Sequence, residues 1–198
     1  MKYKIEIWGL TGGIASGKSL AAKFFSEMGV PVLDADQVSR ELSAPGGAAH
    51  EEILSEFGTA DREELRKIVF NDPGKRKKLE AILHPLIRIE SMKKLKALAD
   101  RSKPIGKKKI VLYEAALLVE SGRLKDFDGL ILVESPESTR KERLMARDKT
   151  PEALASKMLS SQESDDAKRK DATVILDNSG TQDALKSQIK KIIDGWKK

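Results

Sequence analysis

The run from Gly12 to Ser19, Gly-Gly-Ile-Ala-Ser-Gly-Lys-Ser, constrains the fold more than any other part of the chain. It satisfies the pattern G-x-x-x-x-G-K-[ST], whose glycines let the backbone wrap around a phosphate group and aim N–H groups at its oxygens. A strand-like run ends at Leu10, and apolar residues at helical spacing extend from Leu20 to Met28. A strand, a glycine loop and a helix in this order open a parallel α/β unit, so we predict an α/β fold that binds a nucleoside triphosphate.

The last two residues of the motif have different expected roles. Lys18 is expected to reach the β- and γ-phosphates, and the Ser19 hydroxyl to complete the coordination shell of a magnesium ion. An accidental glycine-rich turn is the alternative, and the position between a strand and an amphipathic helix argues against it. The predicted ATP-binding residues of the loop are Gly13, Ile14, Ala15, Ser16, Gly17, Lys18, Ser19 and Leu20.

Two carboxylates follow a second short apolar run, in Asp34-Ala35-Asp36. The carboxyl ends of parallel strands face the ligand crevice, and strand alternation would aim Asp34 and Asp36 the same way. One carboxylate is then placed to accept a hydroxyl proton while the other orients the acceptor. The alternative is that Asp36 caps the N-terminus of a helix that starts at Gln37.

Other charged residues are weaker candidates. Glu114 follows the apolar strand 110–113, where an acid that assists magnesium and an ordinary polar strand end are equally good interpretations. Arg140, Arg143 and Arg147 lie on a predicted helix, and mobile arginines can neutralise the charge of a phosphoryl group during transfer. On helical spacing alone, a solvated face paired with acidic neighbours explains these arginines better.

The remaining pattern predicts a three-layer P-loop fold with a five-stranded parallel sheet. Residues 1–36 and 107–198 are expected to form the nucleotide-binding core, with further strands near 130–133 and 172–176 and a helical lid at about 140–170. Residues 37–106 read as a helical insertion on this core, with a kink or a restart near Pro85. One polar helical stretch is predicted over 152–170.

Composition excludes several classes of protein. The 198 residues include no cysteine, which rules out disulfides, Fe–S clusters and thiol catalysis, and the two histidines, His50 and His84, stand far apart. No apolar run approaches the roughly 18 residues of a membrane span, and no signal-peptide core follows Met1. The net charge of +6 suits an anionic partner without choosing one. We expect a soluble cytoplasmic protein without nucleic-acid, membrane or obligate protein partners.

Together these residues resemble the dephospho-coenzyme A kinase family, P-loop kinases of the nucleoside-monophosphate kinase type. The resemblance covers nearly the whole chain and lies in the loop with Leu10-Thr11, Asp34-Ala35-Asp36, Arg40, Phe57-Gly58, Asp61-Arg62, Leu65, Val69-Phe70, Leu79-Glu80, His84-Pro85, Leu117-Leu118-Val119-Glu120, Ser135-Pro136-Glu137, Arg143, Arg147-Asp148, Gln162, Asn178 and Gly180. The P-loop by itself names only a superfamily, and the ordered series is far more specific.

The resemblance implies a reaction and roles for single residues. ATP would phosphorylate the ribose 3′-hydroxyl of dephospho-CoA, giving CoA and ADP, with Mg²⁺ accompanying ATP. Lys18, Asp36 and Arg143 resemble the catalytic residues, with Asp36 engaging the 3′-hydroxyl. Arg147 resembles a second ATP-binding arginine. The acceptor-binding residues implied by the resemblance are Asp34, Asp36, Arg40, Arg62, His84 and Arg88, while Gln162 and Asn178 are expected near the adenine side of ATP.

The sequence departs from the family pattern in three places. Glu114-Ala115-Ala116 replaces the usual acid-x-proline, the loop between Gly58 and Asp61 is shorter, and Thr173 stands where the family often has aspartate. A kinase for another small hydroxyl acceptor stays an alternative at this stage. A P-loop switch or a nucleic-acid ATPase also stays open, although no guanine-recognition motif and no aromatic-rich basic stretch supports it.

Overall fold

The computed structural model describes residues 3–116, 118, 119, 122, 124–160 and 165–197. The strands are β1 (Lys4–Gly12), β2 (Val32–Asp34), β3 (Lys108–Glu114), β4 (Gly129–Glu134) and β5 (Val174–Asp177). The helices are α1 (Lys18–Glu27), α2 (Ala35–Ser43), α3 (His50–Phe57), α4 (Arg62–Asn71), α5 (Pro73–Arg101), α6 (Glu137–Asp148), α7 (Glu152–Ser160), α8 (Asp165–Asp171) and α9 (Gln182–Trp196).

The five strands form one sheet in the order β2-β3-β1-β4-β5, with β1 at its centre. β1 pairs in parallel with β3 and with β4, and β4 pairs in parallel with β5. Four consecutive residues of β3, from Ile110 to Tyr113, and four of β4, from Leu130 to Val133, are buried. Continuous apolar runs of this kind are typical of parallel strands covered on both faces, and the predicted α/β fold with a five-stranded parallel sheet is confirmed.

The chain divides into two compact units, of which the first comprises Met1–Leu33 and Ala97–Lys198. Helices α1 and α9 pack in one apolar core with the central strands. α9 contributes Leu185, Ile189, Ile193 and Trp196, all on one helical face. Its start is fixed by Thr181, whose side chain accepts a hydrogen bond from the backbone N–H of Ala184.

The second unit, Asp34–Lys96, is helical. Its helix ends follow local signals that the sequence displays. Gly58, in the left-handed conformation with φ 72°, ends α3. Asp61 caps α4 by accepting hydrogen bonds from the backbone N–H groups of Glu63 and Glu64.

α5 runs without interruption from Pro73 to Arg101, with Pro85 inside it, so the helix does not restart near Pro85, which was one of the two predicted alternatives. A proline removes one backbone donor, and a long helix with many other bonds continues through such a position. The described residues of the stretch predicted to be helical over 152–170 are helical, in α7 and in α8.

Among the described residues, no helix is long and apolar enough to cross a membrane.

Candidate active site

The phosphate-binding loop connects β1 to α1, as its sequence predicts. Two of its glycines lack room for a side chain. A Cβ atom on Gly12 would lie 2.6 Å from the backbone oxygen of Val133, and one on Gly17 would lie 1.9 Å from Nδ2 of Asn178. Gly17 also has φ 95°, and Ala15 between them has φ 58°. The loop therefore has a tight left-handed path that side chains on Gly12 and Gly17 would block.

Helix α1 begins at this loop, and no acidic side chain of the helix lies at its N-terminal end. Gly17 is its N-cap residue, no side chain caps it, and its first turn contains no acid. The first N–H groups of a helix carry partial positive charge and lack partners within the helix. This end of α1 is consequently suited to bind a phosphate group.

Lys18 and Ser19 converge on one carboxylate. Nζ of Lys18 lies 2.7 Å and Oγ of Ser19 lies 2.9 Å from the same Oε1 atom of Glu114. The Lys18 and Glu114 side chains are 13% and 7% exposed, so their ion pair is largely shielded from water. Glu114 ends β3, which runs beside β1, and this pairing brings the carboxylate under the loop. Glu114 is therefore a buried partner of both motif residues rather than an exposed polar strand end, and its magnesium role stays a prediction.

The two aspartates have different surroundings. α2 starts at Ala35, so the strand geometry under which alternation would aim both side chains alike does not persist. Asp34, not Asp36, caps α2: its Oδ1 accepts hydrogen bonds from the backbone N–H groups of Asp36 and Gln37. Its Oδ2 binds Arg40 at 3.2 Å. Asp36 is exposed in the first turn of α2, and its carboxylate remains the available acid of the pair.

Arg143 reaches the back of the phosphate-binding loop. It donates from one NH group to Oγ of Ser135 and from the other to the backbone oxygen of Asn178, each at 3.0 Å. Ser135 and Asn178 are both buried, and both lie within hydrogen-bond distance of the Ser16 carbonyl. Sequence reasoning missed a role for Ser135. Its position directly after a buried parallel strand is the signal that points to it.

The other two arginines of α6 differ from Arg143. Arg147 is exposed and forms a two-pronged ion pair with its neighbour Asp148, at 2.7 and 2.8 Å. Arg140 is buried, so its placement on a solvated face was wrong. Arg140 precedes Leu144 by one helical turn, and both side chains lie on the buried face of α6.

The second unit contains two open grooves that share Ser43 and Arg62. One, of about 500 Å³, is walled by α2, α4 and α5. The other, of about 490 Å³, also includes Arg40. Two further predicted acceptor-binding residues, His84 and Arg88, are exposed on α5 and are not part of either lining.

Some predicted positions lie outside the described residues, namely Leu117, Glu120 and Gln162. Within the described part of the chain, no group of three or more His, Cys, Asp or Glu side chains is arranged to hold a metal ion.

Comparisons with known proteins identify the family of this chain. The family model "CoaE: Dephospho-CoA kinase" matches residues 6–184. The dephospho-CoA kinase of Halalkalibacterium halodurans is 41% identical over 197 residues, which cover 96% of each chain. The crystal structure of TT1252 from Thermus thermophilus is 32% identical, with a TM-score of 0.81 over 98% of each chain.

A more distant solved structure shares the fold. The dephospho-CoA kinase from Campylobacter jejuni is 24% identical, with a TM-score of 0.63 over 97% of each chain. The family model covers most of the chain, and the curated relatives match it over nearly their whole length. This chain belongs to the dephospho-CoA kinase family.

Proposed function

We propose that this protein transfers the γ-phosphoryl group of ATP to the ribose 3′-hydroxyl of dephospho-CoA, giving CoA and ADP. The observation that carries the proposal is the convergence of Lys18 and Ser19 on Glu114 under a complete phosphate-binding loop. Family membership supplies the acceptor, since the relatives that match the whole chain are named dephospho-CoA kinase.

The loop residues hold the triphosphate. Backbone N–H groups from Gly13 to Leu20 surround the phosphates, and the ammonium group of Lys18 leaves Glu114 to contact the transferring group. Arg143 and Arg147 lie on α6, within the proposed lid at residues 140–170. Their guanidinium groups compensate the negative charge that accumulates on the phosphoryl oxygens during transfer.

Magnesium is the metal ion proposed to accompany ATP. A magnesium ion held beside Ser19 would neutralise negative charge on the phosphate oxygens. Ser19 would supply a hydroxyl ligand to the ion. Glu114 accepts hydrogen bonds from Lys18 and from Ser19. A single hydroxyl with a nearby carboxylate fits an ion that takes most of its other ligands from phosphate and water.

The acceptor is proposed to bind the second unit, and the nucleotide the first. Asp36 takes the 3′-hydroxyl proton as the O–P bond forms, and the bond from the γ-phosphorus to the β–γ bridging oxygen breaks to release ADP. Arg40 and Arg62, which line one groove, are cationic groups suited to the anionic acceptor. Asp34, His84 and Arg88 complete the proposed acceptor set, with Asp34 acting by fixing the start of α2.

The test compares Asp36→Asn with Asp183→Asn. Both residues are exposed aspartates in the first turn of a helix, so removal of either charge perturbs the helix dipole alike. Asp36→Asn is expected to lower kcat by about 10²- to 10⁴-fold, the usual contribution of a general base, with MgATP affinity nearly intact. Asp183→Asn should keep wild-type turnover. Near-normal kcat in Asp36→Asn would remove this residue from the proposed role.

A further inference from the structure

A buried polar cluster lies behind the phosphate-binding loop. The carbonyl oxygen of Ser16 is 2.8 Å from Nδ2 of Asn178 and 3.1 Å from Oγ of Ser135. Asn178 is 4% exposed and Ser135 is 5% exposed. The Ser135 hydroxyl has one hydrogen and also lies 2.8 Å from the Asn178 carbonyl, so it donates to one carbonyl at a time.

The sheet register explains why these residues meet. Glu134 at the end of β4 pairs with Asp177 at the end of β5, which places Ser135 and Asn178 side by side one residue later. Gly12 at the end of β1 pairs with Val133, so the loop leaves the sheet beside them. The cluster therefore follows from three parallel strands ending at one edge.

The anchored carbonyl fixes the direction of the neighbouring N–H group. In a planar trans peptide the C=O and N–H bonds point in opposite directions. The Ser16 carbonyl shares its peptide unit with the N–H of Gly17. Hydrogen bonds that hold the carbonyl toward Asn178 and Ser135 consequently turn the Gly17 N–H toward the opposite side, where the helix end receives an anion.

Arg143 extends the same cluster. One of its NH groups donates to Ser135 Oγ, so the hydroxyl accepts from the arginine while it donates to a carbonyl. The other donates to the Asn178 carbonyl. An arginine proposed to contact phosphate oxygens is thus connected through two buried residues to the loop that holds the phosphates.

We propose that Asn178 and Ser135 are positioning residues for triphosphate binding, acting through the Ser16–Gly17 peptide and through Arg143. This inference rests on the proposed function only in requiring that a triphosphate occupies the loop. It also separates two roles for Asn178. A positioning residue affects every ligand with phosphates, whereas a residue that touches adenine affects only ligands with a base.

The experiment measures binding of MgATP and of magnesium tripolyphosphate, which has no base, by calorimetry. The variants are Asn178→Ala and Ser135→Ala. Ser187→Ala is the matched control, because the exposed Ser187 hydroxyl also donates to a backbone carbonyl, that of Asp183. Steady-state KM values for ATP and for dephospho-CoA are measured on the same proteins.

Asn178→Ala is expected to lower the affinity for MgATP and the affinity for tripolyphosphate equally, by about tenfold. This is the effect expected from the loss of one hydrogen bond to a carbonyl group. The KM for ATP should rise while the KM for dephospho-CoA stays unchanged. Ser135→Ala should show the same pattern with a smaller change and keeps the test valid if Asn178→Ala folds poorly. The control should match the wild type.

Two results would overturn the inference alone. One is wild-type affinity for both ligands in both variants. The other is weaker MgATP binding with unchanged tripolyphosphate binding, which would assign Asn178 to the base. Wild-type protein that bound neither ligand would overturn the proposed function and this inference together.

Discussion

Gly17→Ala should destabilise the protein through two separable effects. The first is backbone strain, since φ is 95° and the left-handed region costs an alanine about 1–2 kcal/mol. The second is a collision, since the new Cβ would lie 1.9 Å from Nδ2 and 3.1 Å from Cγ of Asn178. The Asn178 side chain is buried and hydrogen-bonded to Ser16, so moving it costs about another 1–3 kcal/mol, as overpacking does.

Two controls isolate these effects. Gly29 has φ 88° but open space where its Cβ would be, so Gly29→Ala carries the strain without the collision. In an Asn178→Ala background, Gly17→Ala has no amide to displace. We therefore expect Gly17→Ala to lower the free energy of unfolding by about 2–5 kcal/mol in the wild type and by about 1–2 kcal/mol in that background.

The assay is urea unfolding followed by tryptophan fluorescence. Trp8 and Trp196 pack against each other in the first unit, with ring centroids 5.2 Å apart, and report its unfolding. Equal costs of Gly17→Ala in both backgrounds, or a cost no larger than that of Gly29→Ala, would refute the close contact between the loop and Asn178.

Two further predictions concern carboxylates. Burial raises the pKa of Glu6, but hydrogen bonds from Lys108, Lys4 and Trp8 outweigh it and hold that pKa below its usual value. The ionised Glu6 carboxylate therefore stabilises the fold. This stabilisation is fully present above the pKa of Glu6 in the unfolded chain, and it is lost as the pH falls through the lower pKa of Glu6 in the folded protein. Glu6→Gln should lower the melting temperature at pH 7, and its difference from the wild-type melting temperature should disappear below about pH 4. A difference that stayed constant across this pH range would contradict the prediction. Glu114→Gln should raise the Mg²⁺ concentration needed for half-maximal turnover by about tenfold, as expected for a weakened outer-shell contact, and an unchanged requirement would exclude that role for Glu114.

Local signals account for most of what the sequence predicts correctly. The phosphate-binding loop depends on a few adjacent residues with specific conformational needs. The cap at Asp61 and the helix end at Gly58 that the structure shows are signals of the same local kind. The contact between Lys18 and Glu114, which are 96 residues apart, could also be predicted from the sequence. It follows from the rule that carboxyl ends of parallel strands face the ligand.

Errors arose where one or two residues decide the outcome. Helix α2 starts two residues earlier than Gln37, so the cap is Asp34 and not Asp36. Either aspartate can cap a helix, and the choice depends on where the strand ends. Thr173 illustrates compensation for a departure from the family: its hydroxyl accepts a hydrogen bond from the backbone N–H of Leu130, as a carboxylate at this position would.

The cluster behind the loop could not be predicted from spacing. Ser16 precedes Ser135 by 119 residues and Asn178 by 162, and the three meet only because β4 and β5 pair in one register. A shift of one residue would turn these side chains to other faces of the sheet. Register is set by the packing of the whole core, which no short motif encodes.

The measurement that tests the central claim most directly is ADP release from MgATP with dephospho-CoA, adenosine, AMP and shikimate offered in parallel. We expect dephospho-CoA alone to stimulate ADP release, with CoA as the product identified by mass spectrometry. Lys18→Ala, which removes the ammonium group from the loop, should abolish the signal and serves as the background control. Turnover with a different acceptor, and none with dephospho-CoA, would contradict the proposed substrate while leaving a P-loop kinase.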